Sequence, residues 1–486
     1  MRRAFFFVRL GLFVGAVLLL APDALTSVLP SWVAPVGASI NPLSQDAVMV
    51  EVPQVSQDRT VTRSRWVALD VNALPDPRTR PQLAREPGLM LELFPDVFVD
   101  AVFDRFDPNQ NGVTWVGHLN GSPLSPVTLV YSGGVLTGTI VAPQGMFQIR
   151  PGSEAVQQAN PQRSGTAHEI VEVDQSAHMR EADPLIPQIT PEALAAARDD
   201  SVADVGDVID VMVLYTPLAQ LHAGSAAAMA NLINLSMSET NTSYVNSDIT
   251  HRVRLVHSAL VEYTEVGNFG TNLTNLRTGA GAGLAGVAAL RNQYGADLVA
   301  MLVHPTAPTA CGIAYVMTTL STAFAPFGYS VTDTACLSPN FTFAHELGHN
   351  MGAQHDWYVS TAMLPFTYAH GFVNTDVGFR WRTIMSYNDR CSIQGFNCSR
   401  LLSWANPAPR FNPFCSAGNF TCRTNLWHLP GTTIPLGVPG GTKADCRVGV
   451  LGDTGCDADN RRALNNTAVI VANLRTAVNS AAPRRR

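Results

Sequence analysis

His345, Glu346, His349 and His355 stand in the run His345-Glu346-Leu347-Gly348-His349-Asn350-Met351-Gly352-Ala353-Gln354-His355-Asp356, which fits the pattern H-E-x-x-H-x-x-G-x-x-H. Two histidines four apart on a helix share a face and reach one metal ion. Glu346 points beside them, where it can take a proton from a water that the metal activates. Gly352 lets the backbone leave the helix, and the turn brings in His355 as a third nitrogen ligand. Three protein ligands and one open position describe a catalytic zinc site; a structural site closes with four. Read as ordinary core, three histidines at this spacing would each need a buried hydrogen-bond partner, which asks for more coincidences.

The same residues carry a resemblance to the metzincin zinc metallopeptidases. The stretch Thr383-Ile384-Met385-Ser386-Tyr387 resembles the Met-turn that underlies the zinc in that clan. Asp356, directly after the third histidine, resembles the reprolysin (adamalysin-like) branch. The segments Asp210–Thr216, Ala296–Val299, Cys311–Tyr315 and Asp459–Asn465 are similar to bacterial secreted peptidyl-Asp metalloendopeptidase-like enzymes. The resemblance covers roughly residues 207–478. It implies an α/β metzincin-type catalytic domain: a mixed twisted sheet with an active-site helix, Met-turn and C-terminal helix. It also implies a β-rich propeptide domain ahead of it, one catalytic zinc ion, protein or peptide substrates, and cleavage on the amino side of acidic residues. Met385 would pack beneath the zinc without binding it. Tyr387 has two readings, a plain packing role or reach to the zinc or the oxyanion. The segment after the Met-turn carries Arg390, Arg400 and Arg410. An arginine there could pair bidentately with a substrate carboxylate, or be merely solvated, and Arg400 is the candidate specificity residue.

The elements needed to position these groups can be read around them. The strand Val208–Tyr215 opens the catalytic domain, and residues 219–245 have helical spacing. Strands are expected over 251–262 and 297–304, and helices over 284–294, 343–351 and 463–478. Asn340 or Ser338 is the expected cap of the active-site helix. This alternation predicts an α/β sandwich. Residues 39–206 read as a β-rich propeptide and linker, with alternating runs such as Val127–Tyr131 and Val135–Ile140. Asp107–Gly112 imitates the start of a calcium-binding loop, but His118 stands at the twelfth position and a hairpin turn is the better reading. Between Pro184 and Asp207 the linker offers Asp199, Asp200, Asp204 and Asp207, with Asp210 just beyond, as sites for self-cleavage. In the propeptide, His168, Glu169, Glu172 and Asp174 form a polar cluster that reads as solvated surface, with a carboxylate or histidine reaching the zinc as the rival.

Composition narrows the rest. The chain has 486 residues, 46% hydrophobic and 14% charged, with a net charge of −6. No basic stripe suggests nucleic acid. Lys443 is the sole lysine, which excludes a P-loop and a Schiff-base lysine. Residues 1–38 read as a signal peptide: Arg2 and Arg3 lead an apolar run from Leu10 to Ala21 too short to span a bilayer comfortably, with an uncleaved anchor as the rival. A secreted protein without stable membrane association after signal cleavage follows, with periplasmic transit if the source is bacterial. All eight cysteines lie between residues 311 and 456, which in an exported chain implies disulfides rather than a second zinc cluster. Cys311 with Cys336 is the expected pair; Cys391 and Cys398 bracket a short loop; the connectivity of Cys415, Cys422, Cys446 and Cys456 is open. Residues 410–456 read as a disulfide-rich loop insertion and 479–486 as a tail. Asp453, Asp457 and Asp459 read as a solvated acidic turn, with a calcium site as the alternative. His304 and His370 read as packed or capping histidines rather than a fourth ligand.

A secreted zinc-dependent metalloendopeptidase is the function these residues predict. The rivals are a secreted adhesion or toxin-like binding protein on the same fold and a non-peptide zinc hydrolase. An intact Glu346 argues against the first.

Overall fold

The computed structural model describes residues 45–46, 58–70, 74, 76–77, 88–107, 109, 112–159, 167–197, 207–376, 380–408 and 435–477. The expected signal peptide, residues 198–206 of the expected linker, the tail, Cys415, Cys422 and Arg410 lie outside the described residues. The described residues fall within one compact unit.

Its first part is a nine-stranded antiparallel sheet. The strands are β1 (Gln45–Asp46), β2 (Val61–Ala68), β3 (Leu89–Phe94), β4 (Val97–Asp107), β5 (Gly112–Leu119), β6 (Ser122–Ser132), β7 (Val135–Ala142), β8 (Gly145–Pro151) and β9 (Ala167–Val173). The order β1-β2-β9-β8-β7-β6-β5-β4-β3 is mostly a chain of neighbouring hairpins. Period-2 alternation places Leu89, Leu91, Val97 and Val99 in a core of the sheet's own, together with Trp115, Leu129, Ile140 and Phe147. Asp107 ends β4 and Gly112 begins β5 in an antiparallel pair, so the calcium-loop imitation is a hairpin connection. Strand β7 is buried on both faces: Leu136 and Ile140 face the sheet's own core, while Val141 joins the core of the following domain.

The second part is a five-stranded sheet, ordered β11 (Arg252–Leu260), β10 (Val208–Tyr215), β12 (Leu298–Val303), β14 (Tyr329–Asp333) and β13 (Gly312–Ala314). The first four run parallel and β13 lies antiparallel on the edge. The crossovers carry helices, as parallel strands require. Two short helices, α1 (Glu154–Ala159) and α2 (Pro191–Ala196), precede this sheet in the chain. The expected helix over 219–245 is two, α3 (Pro217–Ala223) and α4 (Ala226–Asn246), because Gly224 takes a left-handed φ of 99° that ends the first. A helix that the sequence reading missed, α5 (Phe269–Thr278), precedes α6 (Val287–Tyr294). Helix α4 buries side chains around much of its circumference, polar ones included. Those polar residues meet the nine-stranded sheet: Asn231 donates to Val130 O and Val135 O, and Thr242 accepts from Arg105.

Helix α7 (Thr342–Asn350) follows β14 and carries the metal motif. Its cap is not Asn340 or Ser338. Phe341, in the left-handed region, stands at the cap position without a side-chain bond, and the Asn340 amide turns instead to Thr342 Oγ1. A small sheet of Val373–Asn374, Trp381–Arg382 and Ser399–Arg400 lies beyond, and the C-terminal helix runs from Asn460 to Val471. Cys311–Cys336 and Cys391–Cys398 are disulfides, and Cys446–Cys456 is a third. The first ties edge strand β13 to the approach of α7. Among the described residues no helix is long and apolar enough to cross a membrane.

Candidate metal centre

The i, i+4 spacing in α7 puts His345 and His349 on one buried face. Gly348 lies between them because a Cβ there would sit 2.6 Å from Trp404 and 2.9 Å from Met385 Sδ. Met385, fully buried, thus packs directly under the helix that bears the ligands. At Gly352 a φ of 85° turns the chain out of the helix, as the spacing predicts, and delivers His355. The three Nε2 atoms converge: His355 Nε2 is 3.2 Å from that of His345 and 3.0 Å from that of His349.

The opposite ring nitrogens explain that convergence. His345 Nδ1 donates to Ile384 O at 2.9 Å, from the turn that holds Met385, and His349 Nδ1 donates to Ala353 O at 2.8 Å. Both rings are therefore neutral with Nε2 bare, so lone pairs rather than protons face one another. Burial depresses all three histidines: His345 to about 4, His349 and His355 well below their ordinary value. Three neutral imidazoles whose Nε2 atoms meet at one point are a ligand set for a divalent cation, and imidazole donors at this number suit zinc. Among the described residues one other triad could hold a metal, His178, Cys311 and Cys336, but its two sulfurs are spent on a disulfide.

Glu346 is buried with neither carboxylate oxygen hydrogen-bonded, and burial, then the neighbouring charge of Glu181, raises its pKa well above the ordinary value. A Cβ on Gly312 would lie 2.5 Å from Glu346 Oε1, so the glycine on edge strand β13 makes room for this carboxylate. Asp356 accepts the backbone N–H groups of Tyr358 and Tyr387. Tyr387 lies against the ligands, its ring centroid 4.3 Å from that of His355. Its hydroxyl donates to the backbone carbonyl of Glu181 at 2.7 Å.

Arg400 is neither solvated nor open. It is 1% exposed and donates to Glu181 Oε1 at 2.5 Å and Oε2 at 3.0 Å. Thr342 Oγ1 gives Glu181 a further bond at 2.8 Å. Burial opposes ionisation of Glu181, but Arg400 beside it outweighs that and holds the carboxyl well below its ordinary value. The sequence reading missed Glu181, and also Arg382, a buried guanidinium that donates to Cys398 O and Ser386 O and so braces the turn around Met385. Of the other arginines, Arg390 donates to Leu451 O at the surface.

The remaining candidates lie elsewhere. His304 bonds Asp333 and stacks on His222. His370 donates Nδ1 to His355 O, holding the third ligand's backbone. The expected solvated cluster at 168–174 is largely engaged: His168 is buried and accepts from Leu136 N, Glu172 pairs with Arg63, and Asp174 caps a 3-10 turn. The acidic turn near Cys456 is not solvated either. Asp457 is buried and accepts from the amides of Gly441, Thr442 and Lys443; Asp453 pairs with Lys443; Asp459 caps the C-terminal helix. Each carboxylate has its own protein partner, which leaves no argument for calcium. Of the expected cleavage sites, Asp199, Asp200 and Asp204 lie outside the described residues and Asp207 is exposed, whereas Asp210 is buried in β10 and paired with Arg254.

Comparison with known proteins by sequence reaches the same segment. Residues 230–356 match the family model for metallo-peptidase family M12B, reprolysin-like; the match ends just beyond His355. A peptidyl-Asp metalloendopeptidase of Stenotrophomonas maltophilia (strain R551-3) is 32% identical over 298 residues, covering 60% of this chain and 65% of that protein. One from Xanthomonas campestris pv. campestris is 30% identical over 295 residues, covering 60% and 64%. The chain thus aligns with somewhat under two thirds of the length of these relatives. The solved structure of metalloproteinase-II from Bacteroides fragilis matches with a TM-score of 0.39 at 11% identity, covering 57% of this chain and 85% of that one. The sequence matches support a reprolysin-like metallopeptidase, and with the histidine triad they support zinc as its metal.

Proposed function

We propose that this chain, reprolysin-like in its metal-binding segment, is a secreted zinc-dependent endopeptidase that cuts beside acidic residues. The observation that carries the reading is the convergence of three histidine Nε2 atoms, together with the buried carboxylate of Glu346, which has no hydrogen-bond partner among the described residues. His345, His349 and His355 would hold the ion, which when bound supplies Lewis acidity to the scissile carbonyl and to the attacking water. Glu346 is placed to take the proton from that water and give it to the leaving amine. Tyr387, whose hydroxyl already donates to a peptide carbonyl, is placed to donate to a carbonyl in the cleft.

Two features favour peptides over other substrates. Edge strand β13 offers main-chain groups to an extended chain, the usual means of gripping a peptide without reading its side chains. Arg400 offers a buried bidentate fork matched to a carboxylate, which supports a preference for acidic residues, as do the names of the relatives. The apolar N-terminal segment and the disulfides support export. Self-cleavage before Asp199, Asp200, Asp204 or Asp207 would release the N-terminal sheet; the burial of Asp210 removes it from the set.

The deciding experiment is hydrolysis of casein and of a proteome-derived peptide mixture by the purified protein, with zinc content measured in parallel. Cleavage abolished by a chelator and restored by zinc is expected, with cut sites enriched in acidic residues. Zinc bound without any cleavage would point back to a binding protein.

A further inference from the structure

We propose that residues 180–185 occupy the substrate cleft of this same chain, and that Glu181 keeps it latent by filling the acidic-residue pocket formed by Arg400. The proposal rests on the protease reading above.

Three independent contacts place the segment there. Its backbone adds to edge strand β13: Cys311 N donates to Arg180 O at 3.0 Å, Ala182 N to Gly312 O at 2.8 Å, Leu185 N to Ala314 O at 2.9 Å and Val316 N to Leu185 O at 3.0 Å. These are the main-chain groups an extended peptide would use, and Gly312 is also the residue that abuts Glu346. The Glu181 carboxylate accepts from the Arg400 guanidinium, the Thr342 hydroxyl and the Asn340 amide, three donors suited to a carboxylate. The Glu181 carbonyl is taken by Tyr387, whose ring lies against two metal-binding histidines. The next carboxylate, Asp183, comes within 3.8 Å of His355 Nδ1. Main chain, side chain and carbonyl of one residue thus engage the edge strand, the arginine and the tyrosine together.

A purely structural ion pair does not require this arrangement. Gln175 also straps the site: its amide donates to Pro339 O and its carbonyl accepts from Arg400 N. No cysteine precedes Cys311, so no thiolate from this region can block the metal. The contact between the nine-stranded sheet and α4 is rich in polar pairs such as Asn231 with Val135 O and Thr242 with Arg105, so separation would uncover groups that water can satisfy. Downstream, α2 (Pro191–Ala196) buries no residue and leaves the chain open to cutting.

The test uses the full chain. In a Glu346→Gln background, which keeps the chain whole, Glu181→Gln is expected to speed hydrogen exchange in peptides spanning residues 179–188 and 311–316 at least tenfold. Exchange in β10 and β12 should not change. In the otherwise native chain, Glu181→Gln should abolish the lag before hydrolysis of a fluorogenic peptide containing aspartate. Unchanged exchange, or an unchanged lag in a chain that does cut peptides, overturns the proposal. Should Glu181→Gln fail to fold, Ala182→Pro decides. It removes the N–H given to Gly312 while leaving Glu181 and Arg400 in place, and it must open the same peptides and shorten the lag; no change overturns the proposal. Faster exchange with no peptide cut by any form refutes the protease reading instead and leaves the strap in the cleft.

Discussion

Asp356 Oδ2 accepts the backbone N–H of Tyr387 at 2.9 Å, joining the residue after the third histidine to the turn beneath the other two. Its other oxygen accepts from Tyr358 N at 3.1 Å. Burial raises this carboxyl to about 6 against the pull of those two donors, which hold it in place. Supporting groups of this kind set ligand orientation, and their loss typically costs ~10–100-fold in metal affinity. Asp356→Ala is expected to weaken zinc binding by about that factor in a chelator competition, with Asp356→Asn milder because its amide oxygen still accepts one bond. Equal affinity in all three proteins would show that the turn holds itself.

Glu346→Gln keeps the shape of the side chain and all three histidines but loses the base. Peptide hydrolysis should fall at least ~100-fold while zinc stoichiometry stays at one. Activity within about tenfold of the native protein would remove Glu346 from the role assigned to it.

What the sequence made legible was local in the chain. The histidines, Gly352, the turn at Met385 and the pairs Cys311–Cys336 and Cys391–Cys398 all lie within short spans whose spacing constrains geometry directly. The strand Val208–Tyr215 was legible because a central parallel strand reads as a continuous apolar run. Glu181 was not, since its partner Arg400 is 219 residues away and an isolated Glu beside an Arg looks like ordinary surface. Helix α5 was missed because its exposed positions are all Thr and Gly270 and Asn275 stand half-buried among them, residues poor at forming helix, and tertiary packing of Phe269, Leu273 and Leu276 decides the outcome. The Phe341 cap was missed because a left-handed phenylalanine breaks the usual preference, and the site overrides it.

Glu239 sets a pH dependence. It is buried on α4 with Ser338 Oγ donating to it at 2.7 Å, and Ser338 in turn meets Thr139 of the nine-stranded sheet. Burial lifts its pKa from 4.5 to about 8 against the pull of those hydroxyls. Folding therefore favours the protonated acid. Its stability contribution is complete below pH 4.5 and is lost as pH rises toward 8, after which the loss levels off. The slope is at most about 1.4 kcal/mol per pH unit. Thermal unfolding of the full chain carrying Glu346→Gln should show a midpoint falling between pH 5 and 8. Glu239→Gln should flatten that fall. A parallel decline in both proteins would assign the effect to other groups.

The specificity role proposed for Arg400 has to be tested with attention to its buried partner, Glu181. Removing Arg400 alone leaves Glu181 charged and unpaired in a dry site, a change that costs roughly 3–5 kcal/mol when a buried pair is broken. The proform of Arg400→Ala would then fold poorly for reasons unrelated to substrate. Removing both charges avoids this, because the double variant Glu181→Ala, Arg400→Ala leaves no buried ion in need of a partner. The comparison is therefore between Glu181→Ala and the double variant, both after maturation. Matched peptides differing only as Asp or Asn at the residue following the cut supply the readout. Glu181→Ala should keep the preference for Asp in kcat/KM, since its fork is intact. The double variant should lose it by tenfold or more, because charge-assisted bidentate bonds are worth about 1.5–3 kcal/mol. Zinc affinity should be the same in both, as Arg400 bonds to Glu181, Asn340 O and Ser386 O and to none of the three histidines. A double variant that still prefers Asp as strongly as Glu181→Ala would locate acidic recognition elsewhere in the cleft.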